Sequence, residues 1–315
     1  MSPQTTKVAP VKLDKLSPLH CAMLIATTLG LTGLSACSAV SQSKNVLTVN
    51  KTNYTVSQFE KLSRELIETK QLESATGQIS GTDSKNVLSA LVRFIAYNQF
   101  LAANGESITD LDRKTVTDTI KADDPYFTWS PELQRLSVDL GVAQTALARV
   151  KTPDVKTLEK MYSTSAALSG ALCLQQIVLR TESEARSILK QIEDGSDFVT
   201  LAKKFSIEPG AKETGGALKI NSNDCVPLVD LLGGLEPSLT KAALAAKAGV
   251  ANGPVKSSLG YHVLMNRPFS EIQEALLATL NDDPGSRLAI GYLLSMDVNV
   301  NPKFGTWNPT LGKVE

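Results

Sequence analysis

Gly260-Tyr261-His262-Val263-Leu264, preceded by Gly253-Pro254-Val255-Lys256 and followed by Asn266-Arg267-Pro268, is the stretch on which the fold turns. Its residues alternate with a period of two, which predicts a strand carrying His262 and Leu264 on one face and Tyr261 on the other. The chain has two histidines, and His20 falls in a segment expected to be removed, so His262 is the one imidazole left to the mature protein. Gly216-Ala217-Leu218-Lys219-Ile220 reads as another strand, and a helix is expected from about Pro237 to Ala246. Leu172-Cys173-Leu174-Gln175-Gln176-Ile177-Val178-Leu179 has the composition of a third strand. Thr181 and Glu184 form a capping box for a helix bearing Ala185, Ile188, Leu189 and Ile192, and Asp197 caps a shorter one ending at Phe205. The order strand, two helices, strand, helix, strand describes a small α+β unit. Asn221 to Gly234 reads as a loop, and Val226-Pro227 and Glu236-Pro237 both look like the start of the next helix; spacing favours the second.

On either side of this unit the period changes to that of helices. Val56, Phe59, Leu62 and Leu66 share a stripe; Val87 to Phe100 carry a stronger one; further helices are expected over 110–122 and from Ser130 past Leu147. Thr152-Pro153 reads as the cap and first turn of a linking helix. After Pro268 the chain is helical again over 270–280 and 284–296, and Val298 and Val300 can add a strand beside Val46 to Val49. The tail, with Pro302, Phe304 and Trp307, is expected to pack. The expected architecture is therefore α+β, with the small unit inserted in or flanked by a helical domain.

The 315 residues suffice for about two domains, and 42% apolar residues suffice for their cores. Thirty-two acidic and 32 basic side chains cancel, leaving neither a nucleic-acid footprint nor a polybasic membrane patch. Lys7, Lys12 and Lys15 precede an apolar run at 22–31, the pattern of a secretory signal. The run ends in Leu34-Ser35-Ala36-Cys37, which resembles the lipobox of bacterial lipoproteins, in which the cysteine receives a diacylglyceryl group. The alternative is ordinary cleavage after Ala36. Two acyl chains suffice for stable anchoring. Cys173 and Cys225 then remain as an even pair in an oxidising compartment, either joined as a disulfide or buried as separate thiols. One histidine and two distant cysteines cannot make a zinc site of three or four such ligands.

Residues 172–268 resemble the parvulin (PpiC, rotamase) family of peptidyl-prolyl cis-trans isomerases. The resemblance is carried by Gln176-Ile177-Val178-Leu179, Gly195-Ser196-Asp197-Phe198, Leu201-Ala202-Lys203-Lys204-Phe205-Ser206, Gly215-Gly216-Ala217-Leu218, Ala242-Ala243-Leu244, Pro254-Val255 and Gly260-Tyr261-His262-Val263. The helical flanks and the lipobox more weakly resemble SurA-like and PrsA-like extracytoplasmic foldases. These resemblances imply a signal peptide at 1–36, a tether at 37–45, a helical domain at 46–168, the parvulin-like unit at 169–268, and C-terminal helices at 269–315 packing on the first domain.

The family's chemistry needs no cofactor, metal or nucleophile. By resemblance His262 matches the second of two pocket histidines, while Gln176 stands where the first is expected. An amide can still donate to or accept from an imidazole, so the network can persist without the usual tautomer exchange. Glu208 matches an Asp or Cys position, Leu218 an apolar wall and Ser257 a wall hydroxyl. Leu259 stands where many members have Phe, and Leu235 and Leu239 would replace a Met and a Phe that clasp the proline. Each residue has a plainer alternative: His262 a satisfied core histidine, Glu208 a solvated turn residue, the leucines ordinary core. The implied partners are unfolded or partly folded exported polypeptides, and the membrane through the N-terminal lipid. The functions left open are an active isomerase and a chaperone that keeps the fold but little catalysis.

Overall fold

The computed structural model describes residues 44–219 and 223–315, so the signal segment and Cys37 lie outside the described residues. Strands β1 (Asn45–Val49) and β2 (Thr52–Thr55) pair antiparallel across a turn in which Asn50 takes φ 51°. Thr55 and Gln58 form a capping box that starts α1 (Val56–Glu68), burying Phe59 and Leu62. Then follow α2 (Gly81–Ala103), α3 (Asp110–Thr117), α4 (Pro131–Leu147) and α5 (Val155–Thr164). Helix α3 stops at Thr117, five residues before the expected end. It is held to α4 by Arg113, whose guanidinium reaches both oxygens of the buried Asp139 at 2.6 and 3.1 Å. The cap of α5 is Asp154, which accepts from the Thr157 amide at 2.9 Å, and not Thr152. A carboxylate three residues before that amide meets the N3 geometry, which Thr152 is two residues too early to reach.

The α+β unit begins after Gly170. The expected strand over 172–179 divides at Cys173 into β3 (Ala171–Leu172) and β4 (Leu174–Leu179), which belong to different sheets. Helices α6 (Glu182–Glu193) and α7 (Phe198–Phe205) follow, with the Thr181–Glu184 box and the Asp197 cap in place. After the short α8 (Ala211–Thr214), residues 216–219 form no extended strand, contrary to expectation. They run beside β4 through two bonds, Gln176 N–H to the Gly216 carbonyl at 2.8 Å and Leu218 N–H to the Leu174 carbonyl at 2.9 Å. Positive φ angles at Gly215 (65°) and Gly216 (83°) prevent the extended ladder from starting earlier. Ile220 lies outside the described residues.

Much of the stretch read as a loop is ordered. Strand β5 (Val226–Pro227) pairs with β3, and α9 (Leu228–Gly234) buries Leu228 and Leu231. Both competing dipeptides thus start helices, since α10 (Pro237–Ala245) begins after Glu236. Strands β6 (Asn252–Ser257) and β7 (Gly260–Asn266) form a hairpin, and the sheet order is β4-β7-β6, all antiparallel.

The chain then returns through α11 (Phe269–Leu280), α12 (Pro284–Ser295) and β8 (Val298–Val300). Strand β8 pairs with β1, Leu47 opposite Val300, so the strand that opens the described chain and the one that follows the last helix share one sheet. The tail packs as a hairpin of β9 (Trp307–Asn308) and β10 (Lys313–Val314), with Phe304 edge-on to Phe59 at 5.5 Å. A large core joins these helices to β3, β5 and α9; a smaller one lies beneath α6 and α7. The Cys173 and Cys225 sulfurs are buried at the junction, at a bonding distance of 2.01 Å. No helix among the described residues is long and apolar enough to cross a membrane.

Candidate active site

Strand β7 is the middle strand of its sheet, and its two faces have opposite uses. Tyr261, Val263 and Met265 join Ile177 and Leu179 in the smaller core under α6 and α7. His262, opposite Val178 on β4 and Val255 on β6, points to the other face with Leu264, Gln176 and Ser257. Helix α10 is tied to that face by two asparagines. Asn266 Nδ2 donates to the carbonyls of Ala243 and Ala246 at 3.0 and 2.9 Å, and Asn252 Nδ2 to that of Ala242 at 3.2 Å.

On this face four side chains form one continuous hydrogen-bond chain. Gln176 Nε2 donates to Glu208 Oε1 at 2.9 Å, Gln176 Oε1 faces His262 Nδ1 at 2.9 Å, and Ser257 Oγ faces His262 Nε2 at 2.6 Å. The Leu259 amide donates to Ser257 Oγ at 3.0 Å. Each member is placed by backbone. Glu208 follows a segment laced to β4, in which Ile207 N–H donates to the Val178 carbonyl at 2.8 Å and Ser206 Oγ accepts from Val178 N–H at 3.1 Å. Gly216 lies so close to Gln176 that a Cβ there would stand 2.3 Å from its carbonyl oxygen. Only glycine permits that approach, which brings the 216–218 segment against the backbone of β4.

Burial dominates the electrostatics. His262 is 1% exposed, and its desolvation lowers the imidazole pKa below the ordinary 6.5, against a weaker upward pull from Glu236. Glu208 is half-buried, and desolvation raises its carboxyl above the ordinary range despite the donor from Gln176. The folded pKa of His262 is depressed, so between that value and 6.5 the unfolded chain binds more protons, and stability is lost as pH falls through this window. Glu208 acts oppositely, its contribution being lost as pH rises above 4.5. Urea unfolding of His262→Gln across pH 5 to 7 isolates the first effect: the variant should lose a slope of at most about 1.4 kcal/mol per pH unit. An unchanged slope would contradict the burial of a neutral imidazole.

The residues singled out in the sequence fall into two groups. His262, Gln176, Glu208 and Ser257 are brought together in the chain just described. The four leucines form no single cluster: Leu218 and Leu235 pack against the larger core, Leu239 is buried on α10 in neither core, and Leu259 is 70% exposed at the hairpin tip. The sequence marks Glu236 only as a helix start and gives Ser258 no role. The Glu236 carboxylate accepts from the Ser258 amide at 3.0 Å and from its hydroxyl, clamping the turn between β6 and β7 to α10. The partners are 22 residues apart with no local pattern to join them, so no sequence signal announces this clamp.

Residues 179–267 match the family described as Rotamase, PPIC-type PPIASE domain. This segment is a parvulin-type domain. The match takes in Glu208, Ser257 and His262, while Gln176 lies just before it. The chain is similar to the foldase protein PrsA of Clostridium kluyveri, 29% identical over 151 residues that cover 47% of this chain and 42% of that protein. It is similar also to foldase protein PrsA 2 of Listeria monocytogenes, 32% identical over 139 residues, 44% of this chain and 43% of that one. The match thus spans less than half the length of these relatives. A crystal structure of PrsA from Bacillus cereus is 22% identical, covering 84% of this chain and 96% of that chain with a TM-score of 0.27. Around the parvulin-type domain the chain is a mixed body of helices and short strands.

Proposed function

We propose that the protein is an extracytoplasmic foldase, held to the membrane by a lipid on Cys37, whose parvulin domain isomerises prolyl bonds in exported, partly folded chains. The reading divides the chain into a signal at 1–36, a tether at 37–45, a helical client-holding domain at 46–168, the parvulin domain at 169–268 and C-terminal helices at 269–315. Its main support is the unbroken hydrogen-bond chain from Glu208 through Gln176 and His262 to Ser257.

The barrier to be lowered is rotation about the partly double C–N bond, about 18–20 kcal/mol. Each 1.4 kcal/mol or so removed raises the rate about tenfold. As the amide twists it loses resonance, its carbonyl becomes less polar and its nitrogen gains a lone pair. An apolar site disfavours the charge-separated planar form, and a rigid polar floor needs no reorganisation when the twisted form arrives. His262, Gln176 and Glu208 would build that floor, with Ser257 as its outer member. The four leucines together do not make the wall around the proline ring, since Leu218 and Leu235 pack against the larger core and Leu259 stands exposed at the hairpin tip. A disulfide between Cys173 and Cys225 would hold the domain's first strand to the segment leading into α9.

The experiment is cis/trans exchange in a proline tetrapeptide, measured without a protease by magnetisation transfer. Acceleration at micromolar protein is expected. No acceleration at high concentration would remove the isomerase reading and favour a chaperone that holds clients without catalysing rotation. That second reading is motivated by Gln176 at a histidine position and by the exposed aliphatic Leu259. It predicts suppression of client aggregation that His262→Ala leaves unchanged.

A further inference from the structure

The hydrogen-bond chain has a direction, and one end determines it. An ionised carboxylate can only accept, so Glu208 obliges Gln176 to turn its NH2 group outward, with Nε2 at 2.9 Å from Oε1. The other end of the same amide is then its carbonyl, which also only accepts. His262 Nδ1, 2.9 Å away, must carry the proton of a neutral imidazole. Its Nε2 is left with a lone pair, so the Ser257 hydroxyl, at 2.6 Å, must donate to it. Ser257 Oγ already accepts from the Leu259 amide, and what remains on that oxygen is one lone pair. Reversing the first link reverses all the others. If the group at position 208 donates to the Gln176 carbonyl, the amide turns over, His262 carries its proton on Nε2, and Ser257 accepts twice. Its O–H is then free.

We propose that the charge on Glu208 sets the direction of this chain, making Glu208 a positioning residue that fixes the His262 tautomer and thereby whether Ser257 offers a bound chain a lone pair or a proton. The inference rests on reading this face as the isomerase floor. With Glu208 ionised the site presents an acceptor; with position 208 neutral it can present a donor to the carbonyl or nitrogen of a client's prolyl bond. The surroundings leave Glu208 in control. Burial and the Gln176 donor are what act on its carboxyl, and Glu236 is the charged group acting on the imidazole from α10. The tight Gly216 approach fixes the backbone of Gln176, and turning its amide over needs only rotation of the side chain's terminal bond.

The test reads the tautomer itself, in the full chain labelled with 15N and without client, at pH 8. His262 resonances are assigned by their absence from His262→Ala. The ring nitrogen shifts should show Nδ1–H in about tenfold or greater excess in the wild type, as a charge-assisted terminal bond requires. Glu208→Gln keeps the shape but lets either end of an amide face Gln176, and should bring the ratio within about threefold of parity. Ser257→Ala should leave the wild-type excess intact, because that end follows rather than sets the direction. A ratio held above threefold in Glu208→Gln, or an excess abolished by Ser257→Ala, overturns the proposal. The readout needs no catalysis, so a protein that fails to accelerate prolyl exchange would remove the isomerase reading while leaving this result standing.

Discussion

Replacing Gly291 by alanine is expected to destabilise the protein by more than about 3 kcal/mol. Two effects compete at this position. Glycine inside a helix costs about 1 kcal/mol relative to alanine, so α12 considered alone would gain from the change. Packing decides otherwise. An added Cβ would stand 2.1 Å from the Ala167 carbonyl oxygen and 3.1 Å from the Gly170 nitrogen, both backbone atoms that cannot rotate aside. The approach is mutual: a Cβ on Gly170, itself at φ 76°, would lie 2.6 Å from the Arg287 carbonyl group. The same helix carries Gly285, where a Cβ would meet the Leu147 carbonyl oxygen at 1.8 Å. Three glycines therefore let α12 touch the end of α4 and the turn that leads into the parvulin domain. Urea unfolding of Gly291→Ala measures the loss; a change below 1 kcal/mol would show that the helix shifts freely, and that its seat is not a rigid one.

Removing the cysteine pair is the second large change expected. Cys173 and Cys225 are 52 residues apart, and closing a loop of that length restricts the unfolded chain by about 4 kcal/mol on loop-entropy grounds. Both sulfurs are buried, so substitution to alanine adds a small loss of packing. The double variant Cys173→Ala with Cys225→Ala should lower the unfolding free energy by about 4 kcal/mol, and reductant under denaturing conditions should do the same to the wild type. Equal stability with and without reductant would mean two separate thiols. The local consequence is specific. Cys173 is the residue at which one apparent strand divides between two sheets, and its carbonyl accepts from the Arg267 amide at 2.9 Å where the domain ends. Entry and exit of the parvulin domain are thus adjacent, and Arg267 also pairs with Asp224 at 2.8 Å beside Cys225.

What the sequence reveals and what it hides follow from the range of the forces involved. The Thr181–Glu184 box and the Asp197 cap act over three residues, so the residues themselves announce them. The alternation in β7 is legible because one face must be apolar throughout. Helix α9 is not legible: Leu228–Gly234 is seven residues long, ends in two glycines and is stabilised by packing Leu228 and Leu231 on the larger core. The division at Cys173 is invisible because both halves are apolar and buried. The expected strand at 216–220 failed because Gly215 and Gly216 adopt left-handed backbone that composition does not show. In the site, the parvulin resemblance located His262, Gln176, Glu208 and Ser257, but not the order in which they donate. That order depends on a carboxylate 32 residues from the amide it meets. The Glu236–Ser258 clamp is equally non-local.

If this chain of four side chains forms the floor of a prolyl isomerase, catalysis depends on His262 at its centre. The most direct test of that dependence compares cis/trans exchange of a proline tetrapeptide with the wild type and with His262→Ala at equal concentrations of folded protein. Acceleration is expected with the wild type and a fall of about 100-fold in the variant, equivalent to about 2.7 kcal/mol of lost stabilisation of the twisted amide. Equal acceleration by both proteins would contradict it.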